Sequence, residues 1–447
     1  MATITWFEKK TKRGREVRKM DFSFLWNYFW IYIPLGLIGF WRWGVWVFKK
    51  VCTLKYKPIP VGDPGKSSTL SIITPVYNED VEIFKRALSS WQANNPTEII
   101  AVIDESDKLC IEAFKDFSKD KPWAKLIVTS KPGKRQALAD GIREAKGEIV
   151  ALVDSDTIWA RDIREKALAP FGDPKIGGVV TRQNSLEHNS VWQKMTDIFW
   201  DLRNADEWPF LAAMGKAMTC LSGRTALYRR EILLTNLDDF LNEIIFGRKK
   251  ESGEDKCLTR LIQQEGWQTY YQSNAQVYSA TTENFRDFWK QRVRWTRNSY
   301  NSDLLALWQG GAWKHPFLAI YMIDRFISPF TLLLAPIFFC LALYLNHWAV
   351  AFIIICWWIL SRAIKLIPHL KRRPQDILLV PVYTGVNFMV AVAKIYALVT
   401  IRKQKWIRGD EEREKKGVLG RTMGYVIPAL CTGGIITLLV LLVIFVL

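Results

Sequence analysis

None of the seven cysteines stands in a CxxC pair or at zinc-ligand spacing, so neither a disulfide framework nor a structural zinc site is expected. Cys340, Cys356 and Cys431 lie in apolar runs and read as small core residues, which leaves a reducing, cytosolic setting as the default for the soluble part. No GxxxxGK[ST] is present, so the basic, glycine-bearing loop KPGKRQALADG (131–141) is not a Walker loop. No nucleic-acid-binding module is recognisable. A cleavable leader is not expected either: the apolar run behind the basic N-terminus is long and lacks a clear small-residue cleavage site. Acidic residues are the scarcer charge, 44 against 62 Lys and Arg, and the net charge of +18 suits anionic partners such as nucleic acid, anionic lipid or phosphorylated substrates.

What is abundant is apolar and aromatic. Of 447 residues, 49% are hydrophobic and 21 are tryptophan, a residue that favours membrane interfaces and flat sugar faces. A basic segment (1–21) precedes an apolar run (22–48) long enough to span a bilayer, with Arg42 placed to snorkel to the surface. The middle zone, about 68–282, alternates β-rich runs (LSIITPVY, EIIAVID, AKLIVT, EIVALVD, GGVVTR) with amphipathic helical patterns, which argues for βαβ units and a mostly parallel sheet. Ligands in such sheets sit at the carboxyl ends of strands, so the polar residues there matter most. Residues 283–325 read as interfacial helices. In 326–447, spans are expected at 327–345, 348–362 and 426–447. The stretch 377–401 is apolar but carries Pro381, Gly385, Asn387 and Lys394, so a spanning, re-entrant or interfacial course stays open, with a bent or interfacial one favoured. The central domain is placed in the cytosol.

Several short motifs offer chemistry. VDSDT puts Asp154 and Asp156 at i and i+2 after a strand, an arrangement that can share Mg²⁺ or Mn²⁺; a polar helix-capping turn competes. Lys131, Lys134 and Arg135 begin a helix and suit a diphosphate, against a solvated basic helix start. Asp104 in VIDES can accept hydrogen bonds from a base or ribose, or cap a helix. Gly253-Glu254-Asp255 opens a helix in which Asp255 is either a general base or a complement to the helix dipole. CLSGRTALYRR (220–230) is a sugar-binding floor or a simple turn. QRVRWTRNSY (291–300) is a membrane-hugging basic helix or part of an active site.

In the order TPVYNE, VIDES, PGKR, DSDT, SGRT, SGED and QRVRW, the chain resembles family-2 glycosyltransferases of GT-A fold. It is most similar to the membrane-integrated hyaluronan, chitin and cellulose synthases, and above all to capsular polysaccharide synthases of the pneumococcal type 3 kind. The resemblance spans about Thr69 to Trp295, and KWIRGD weakly resembles a tail element of hyaluronan-synthase relatives. It implies an α/β GT-A domain with helical transmembrane and interfacial segments.

For the residues it implies the following. Tyr77, Glu79, Asp104, Lys134, Arg135 and Asp154 bind the nucleotide sugar, and Asp154 and Asp156 hold the metal, with Asp156 the direct ligand. Ser222, Gly223 and Arg224 floor the sugar pocket. Asp255 is the catalytic base. Gly253, Glu254, Gln291, Arg294 and Trp295 serve the acceptor and leaving group, while Arg297 and Tyr300 keep a membrane-surface role. GED stands where cellulose synthases carry TED, and neither an FxVTxK-type gating sequence nor a PilZ-like domain is visible, which weakens a cellulose assignment.

The implied activity is inverting, metal-dependent polymerisation of sugars from cytosolic UDP-sugars into an exported extracellular or capsular polysaccharide, in the plasma membrane. UDP-glucose with UDP-glucuronate is the first choice of donor and UDP-N-acetylglucosamine the next. Partners are then the growing polysaccharide or a lipid acceptor and membrane lipids, without nucleic acid. A single-transfer enzyme acting on a lipid acceptor, or a non-catalytic basic membrane scaffold, are the competing readings. Trp192, Trp200 and Trp208 are expected at the interface or in the core, with stacking on acceptor sugars the alternative.

Overall fold

The computed structural model describes residues 23–62, 68–131, 133–403 and 418–446. The basic segment 1–21 and the KWIRGD element lie outside the described residues.

The strand-forming runs become β1 (Leu70–Val76), β2 (Glu98–Asp104), β3 (Ala124–Thr129), β4 (Ile149–Leu152), β5 (Thr157–Trp159), β6 (Ile176–Ser185), β7 (Ala226–Arg229), β8 (Ile244–Ile245), β9 (Arg248–Lys249) and β10 (Gln268–Ser279). One eight-stranded sheet has the order β3-β2-β1-β4-β7-β6-β10-β5. Its β3-β2-β1-β4 half is parallel, as the near-continuous apolar runs predict for strands covered on both faces. The other half is mixed: β7 runs antiparallel to β4 and β6, and β5 antiparallel to β10. The SGRTALYR stretch therefore holds a central strand behind its turn.

The parallel register aligns three strand ends. Val76 pairs with Ile103, and Asp104 with Thr129, so TPVYNE, VIDES and the KPGKR loop emerge along one edge. DSDT has a different task. Five Cα steps, about 17–18 Å at most, carry the chain from Leu152 to Thr157. In a flat sheet the four spacings from β4 to β5 would measure about 19 Å. The sheet curls into a half-barrel, and the two aspartates lie where the edge strand β5 turns back toward the central strand β4.

Among the described residues four helices are long and apolar enough to cross a membrane: Trp30–Thr53, Pro316–Tyr344, Trp348–Lys365 and Pro374–Val399. Helix Val418–Val446 follows, with an apolar stretch at Pro428–Leu441. These helices turn large apolar side chains outward (Phe40 81%, Tyr344 83% and Leu378 82% exposed), a belt suited to lipid.

Three expectations change. The helix expected to start near 327 begins at Pro316, because the charges ahead of that point are paired: Asp324 with Arg42 and Lys49, and Arg325 with Asp303 at 2.8 Å. Arg42 accordingly joins Asp324 rather than snorkelling to the surface. The stretch 377–401 is neither bent nor broken: a 3₁₀ turn, Pro374–Leu379, leads into one continuous helix, Val380–Val399. Pro381 falls in its first turn, where a missing N–H costs nothing.

A separate polar knot ties the soluble part to these helices. Arg372 bonds Asp201 at 2.6 Å and also Asp197, while His369 lies between Asp201 (2.7 Å) and Asp376 (3.1 Å). Asp197, Asp201 and His369 are close enough together to hold a metal ion, but the Arg372 guanidinium already supplies the cation there.

Candidate active site

The carboxyl edge of the sheet sets the site. After β1, Tyr77 is exposed and Glu79 accepts a hydrogen bond from Ser155 Oγ at 2.7 Å, tying the TPVYNE loop to DSDT. After β2, Asp104 Oδ1 accepts from Ser106 N (3.0 Å) and Ser106 Oγ (2.5 Å). The cap of the following helix is Asp107, not Asp104. After β3, Gly133 takes φ +110 and begins helix Lys134–Glu144 without a side-chain cap. Lys131 stays exposed.

Lys134 is the hub. Its Nζ lies 2.6 Å from Asp154 and 2.6 Å from Glu254, joining the sheet edge to the start of helix Glu254–Gln264. Burial pulls this ammonium down, but the two carboxylates outweigh it and hold it above the ordinary lysine range. Glu254 is buried too, yet Lys134 keeps it below the usual carboxylate range. Gly223 closes the same corner: its carbonyl accepts from Asp154 N at 2.9 Å. A Cβ on Gly223 would stand 3.3 Å from Asp154 Oδ1 and 3.4 Å from Lys134 Nζ. Asp154, Lys134, Gly223, Glu254 and Asp255 share one crevice.

Asp255 and Asp156 are tuned the opposite way from Glu254. Burial, then the neighbouring Glu254, raises Asp255 above the ordinary aspartate range. Burial, then Asp154, raises Asp156 to about 6. Two crowded carboxylates that resist sharing negative charge, with oxygen donors only, fit a hard divalent cation. Asp154 and Asp156 would hold it.

Gly253 has φ +81, and a Cβ there would meet Asn298 Cγ at 3.1 Å, so glycine lets helix Glu254–Gln264 start against the interfacial helix Phe285–Trp308. On that helix Gln291 Oε1 is buried without a hydrogen-bond partner among the described residues; Arg224 is pulled down by burial against the attraction of Asp154, Asp156 and Asp255, and Arg294 adds to the lowering. Trp295 meets the Arg224 guanidinium at 5.2 Å. One face of the helix thus packs beside the floor turn, at Arg224, and the start of helix Glu254–Gln264. Elsewhere Arg297 donates to Thr400 Oγ1 (2.8 and 3.0 Å), and Tyr300 stacks on Phe326 at 4.5 Å. At 1% exposure Tyr300 is a core residue, which corrects the membrane-surface role expected of it.

Arg135 is a second correction. It does not join Lys134 at the crevice: its guanidinium donates to Glu243 (2.6 Å) and the Phe240 carbonyl (2.7 Å) and is buried. Neighbouring helical residues point about 100° apart, so Lys134 and Arg135 cannot share a target. Ser222 is buried beneath the floor turn, where its carbonyl accepts from Thr225 N at 3.2 Å. Trp200 and Trp208 are core residues, and Trp192 packs on Phe285 and Phe288. Two neighbours of the site escaped the sequence reading. Cys220, kept a thiol by burial and then by the neighbouring Asp255, lies beside that carboxylate, and Asn298 underlies Gly253.

The family model described as "Glycosyltransferase like family 2" matches residues 68–298, the whole half-barrel and the head of the interfacial helix. The chain belongs to glycosyltransferase family 2. An N-acetylglucosaminyltransferase of Rhizobium meliloti is 27% identical to this transferase over 365 residues, 78% of this chain and 82% of its own. A type 2 glycosyltransferase of Pyricularia oryzae is 25% identical over 386 residues, covering 79% of this chain and 77% of its own. Among solved structures, a mannosyltransferase of Pyrobaculum calidifontis, determined with GDP-mannose and Mn²⁺, superposes with a TM-score of 0.57 at 19% identity over 84% of this chain and 99% of that one. The transferase fold is GT-A, accompanied by apolar helices able to cross a membrane.

Proposed function

We propose that this transferase is an inverting, metal-dependent enzyme of the plasma membrane that builds a polysaccharide from cytosolic UDP-sugars. The observation that carries this reading is the crevice of Lys134, Asp154, Glu254 and Asp255, whose helix Glu254–Gln264 starts against the interfacial helix that leads on to the apolar helices. The acceptor hydroxyl attacks the anomeric carbon, the bond to the nucleotide diphosphate breaks, and the hydroxyl proton passes to Asp255. Its raised pKa suits proton uptake. Lys134 and Arg294 meet the charge growing on the diphosphate, and Lys134 fixes Glu254 so that Asp255, its neighbour in sequence, faces the acceptor. A Mg²⁺ or Mn²⁺ ion at Asp154 and Asp156 supplies Lewis-acid neutralisation of the same charge. Tyr77, Glu79 and Asp104 border the nucleoside. Gly223 floors the donor sugar, and Gln291 and Trp295 bound the acceptor.

UDP-glucose with UDP-glucuronate and UDP-N-acetylglucosamine are the donors to test, the last because bacterial relatives are N-acetylglucosaminyltransferases. The polymer leaves through the apolar helices, in the manner the capsule-synthase likeness implies. A second reading, one sugar added to a lipid acceptor, has the same observation in its favour, since the interfacial helix leads on to the apolar helices. Purified full chain supplied with UDP-sugars singly and in pairs tests both. A ladder of long product is expected; a single sugar on lipid would establish the second reading instead, and a requirement for two donors would show a heteropolymer.

A further inference from the structure

Beside the crevice lie three half-buried arginines that make no ion pair within 4 Å among the described residues. Arg203 sits on a π turn, Arg203–Glu207, that interrupts the helical run from Val191 to Met214, a local geometry common at functional sites. It donates to Gln183 Oε1 at 2.5 Å and lies 4.3 Å from the Trp208 ring. Arg224 reaches the same Gln183 oxygen at 3.4 Å and is sandwiched between Trp200 (4.4 Å) and Trp295 (5.2 Å). Arg292 stacks on Phe199 (4.6 Å), Phe288 (4.7 Å) and Trp295 (5.3 Å), and its Nε and Nη2 are buried without a hydrogen-bond partner. Glu207, the acid next to Arg203, is occupied by Thr219 (2.6 Å) and Arg325 (3.6 Å).

Burial, then Arg203 and Arg224, pulls Arg292 down to about 9. Burial also lowers Arg203 to about 10, with Arg224 working against Glu207. Clustered buried cations are costly unless an anion joins them, and guanidiniums stacked on aromatic faces leave their N–H edges free for a bidentate oxyanion. The neutral groups around them say which oxyanion. Gln183 Nε2, Asn204 Oδ1 and Gln291 Oε1 are buried and unpartnered. They match hydroxyl groups, which a sugar acid carries and a lipid phosphate does not.

We propose that Arg203, Arg224 and Arg292 form an acceptor subsite for the carboxylate of a uronic acid, so that the glycan this enzyme extends contains acidic sugars. The inference rests on the transferase reading and names its acceptor class. Trp295, shared by Arg224 and Arg292, joins this subsite to the crevice.

The test is equilibrium binding of oligosaccharides to the purified full chain without donor. Glucuronate-, galacturonate- and mannuronate-terminated oligomers are each compared with their carboxyl-reduced counterparts. At least one acid is expected to bind about tenfold or more tightly than its reduced partner. That preference should collapse in Arg292→Gln and partly return in Arg292→Lys. Equal binding within all three pairs, or a preference that survives Arg292→Gln, overturns the subsite. So does Arg292-dependent binding of a polyprenyl phosphate with no preference among the saccharides. The wild-type comparison needs no variant to fold. Donor turnover, measured separately as Asp255-dependent nucleotide release, shows whether the transferase reading stands whichever way the binding falls.

Discussion

Two arginine groups flank the crevice, one buried and one half-buried, and they are balanced in different ways. On the first side Arg135 and Arg260 both close on one carboxylate, Glu243, at 2.6 and 2.8 Å, with Lys250 nearby. On the other side Arg203, Arg224 and Arg292 rest on aromatic faces and one glutamine oxygen. The first group is a structural clamp between helix Lys134–Glu144 and helix Glu254–Gln264, and it fixes the distance across which Lys134 can bridge. The second is a set of cations waiting for a ligand. Between them lie the carboxylates, so the crevice has one side locked and one side open to an acidic partner.

The comparison breaks most visibly at the helix Phe285–Trp308, where two arginines three residues apart have different neighbours. Arg294→Ala should lower turnover about 10²–10³-fold, the usual effect of removing a donor that meets developing charge. Arg297→Ala, which loses its bonds to Thr400, should leave turnover within about threefold, because that contact lies away from the crevice. Steady-state nucleotide release separates the two; equal losses would mean that the helix acts as a structural unit.

Stability should split the two arginine groups. Glu243→Gln strands Arg135 and Arg260 and should cost about 3–5 kcal/mol in denaturant or thermal melts. Arg292→Gln removes a cation without an ion pair, and the melt should stay within about 1 kcal/mol of the parent or rise. A large loss from Arg292→Gln would show that its aromatic stacking, rather than a ligand, is what holds it there.

A smaller effect concerns pH. Asp255 must be ionised to take a proton, and burial with Glu254 raises its pKa, so turnover should be complete above that value and fall as pH drops through it. The acid limb of kcat should therefore lie above the ordinary aspartate value of about 3.9. Glu254→Gln, by removing the adjacent charge, should shift that limb to lower pH, and a shift the other way would contradict the assignment.

The strand ends were legible because parallel strands covered on both faces leave unbroken apolar runs, and DSDT, VIDES and TPVYNE stand where those runs stop. The helix opened by SGED was legible from its glycine and acidic first turn. Direction within a helix was not: Lys134 and Arg135 are equivalent as letters, and only the packing of helix Lys134–Glu144 on β1 and β2 sends one to Asp154 and the other to Glu243. β7 was hidden because four residues, ALYR, follow a turn with no alternation to mark them. The open arginine group joins β6, the π turn, the floor turn and the interfacial helix, residues 183 to 292, a convergence no local pattern encodes.

The most direct measurement is nucleotide release by the purified full chain over a panel of UDP-sugars, with Mn²⁺ and with chelator, in the parent and in Asp255→Asn. Metal-dependent release that falls about 10²–10⁴-fold in the variant, with nucleotide binding near the parent's, is the predicted result. Release that persists at the parent's rate in Asp255→Asn would contradict the central claim that this carboxylate takes the acceptor's proton.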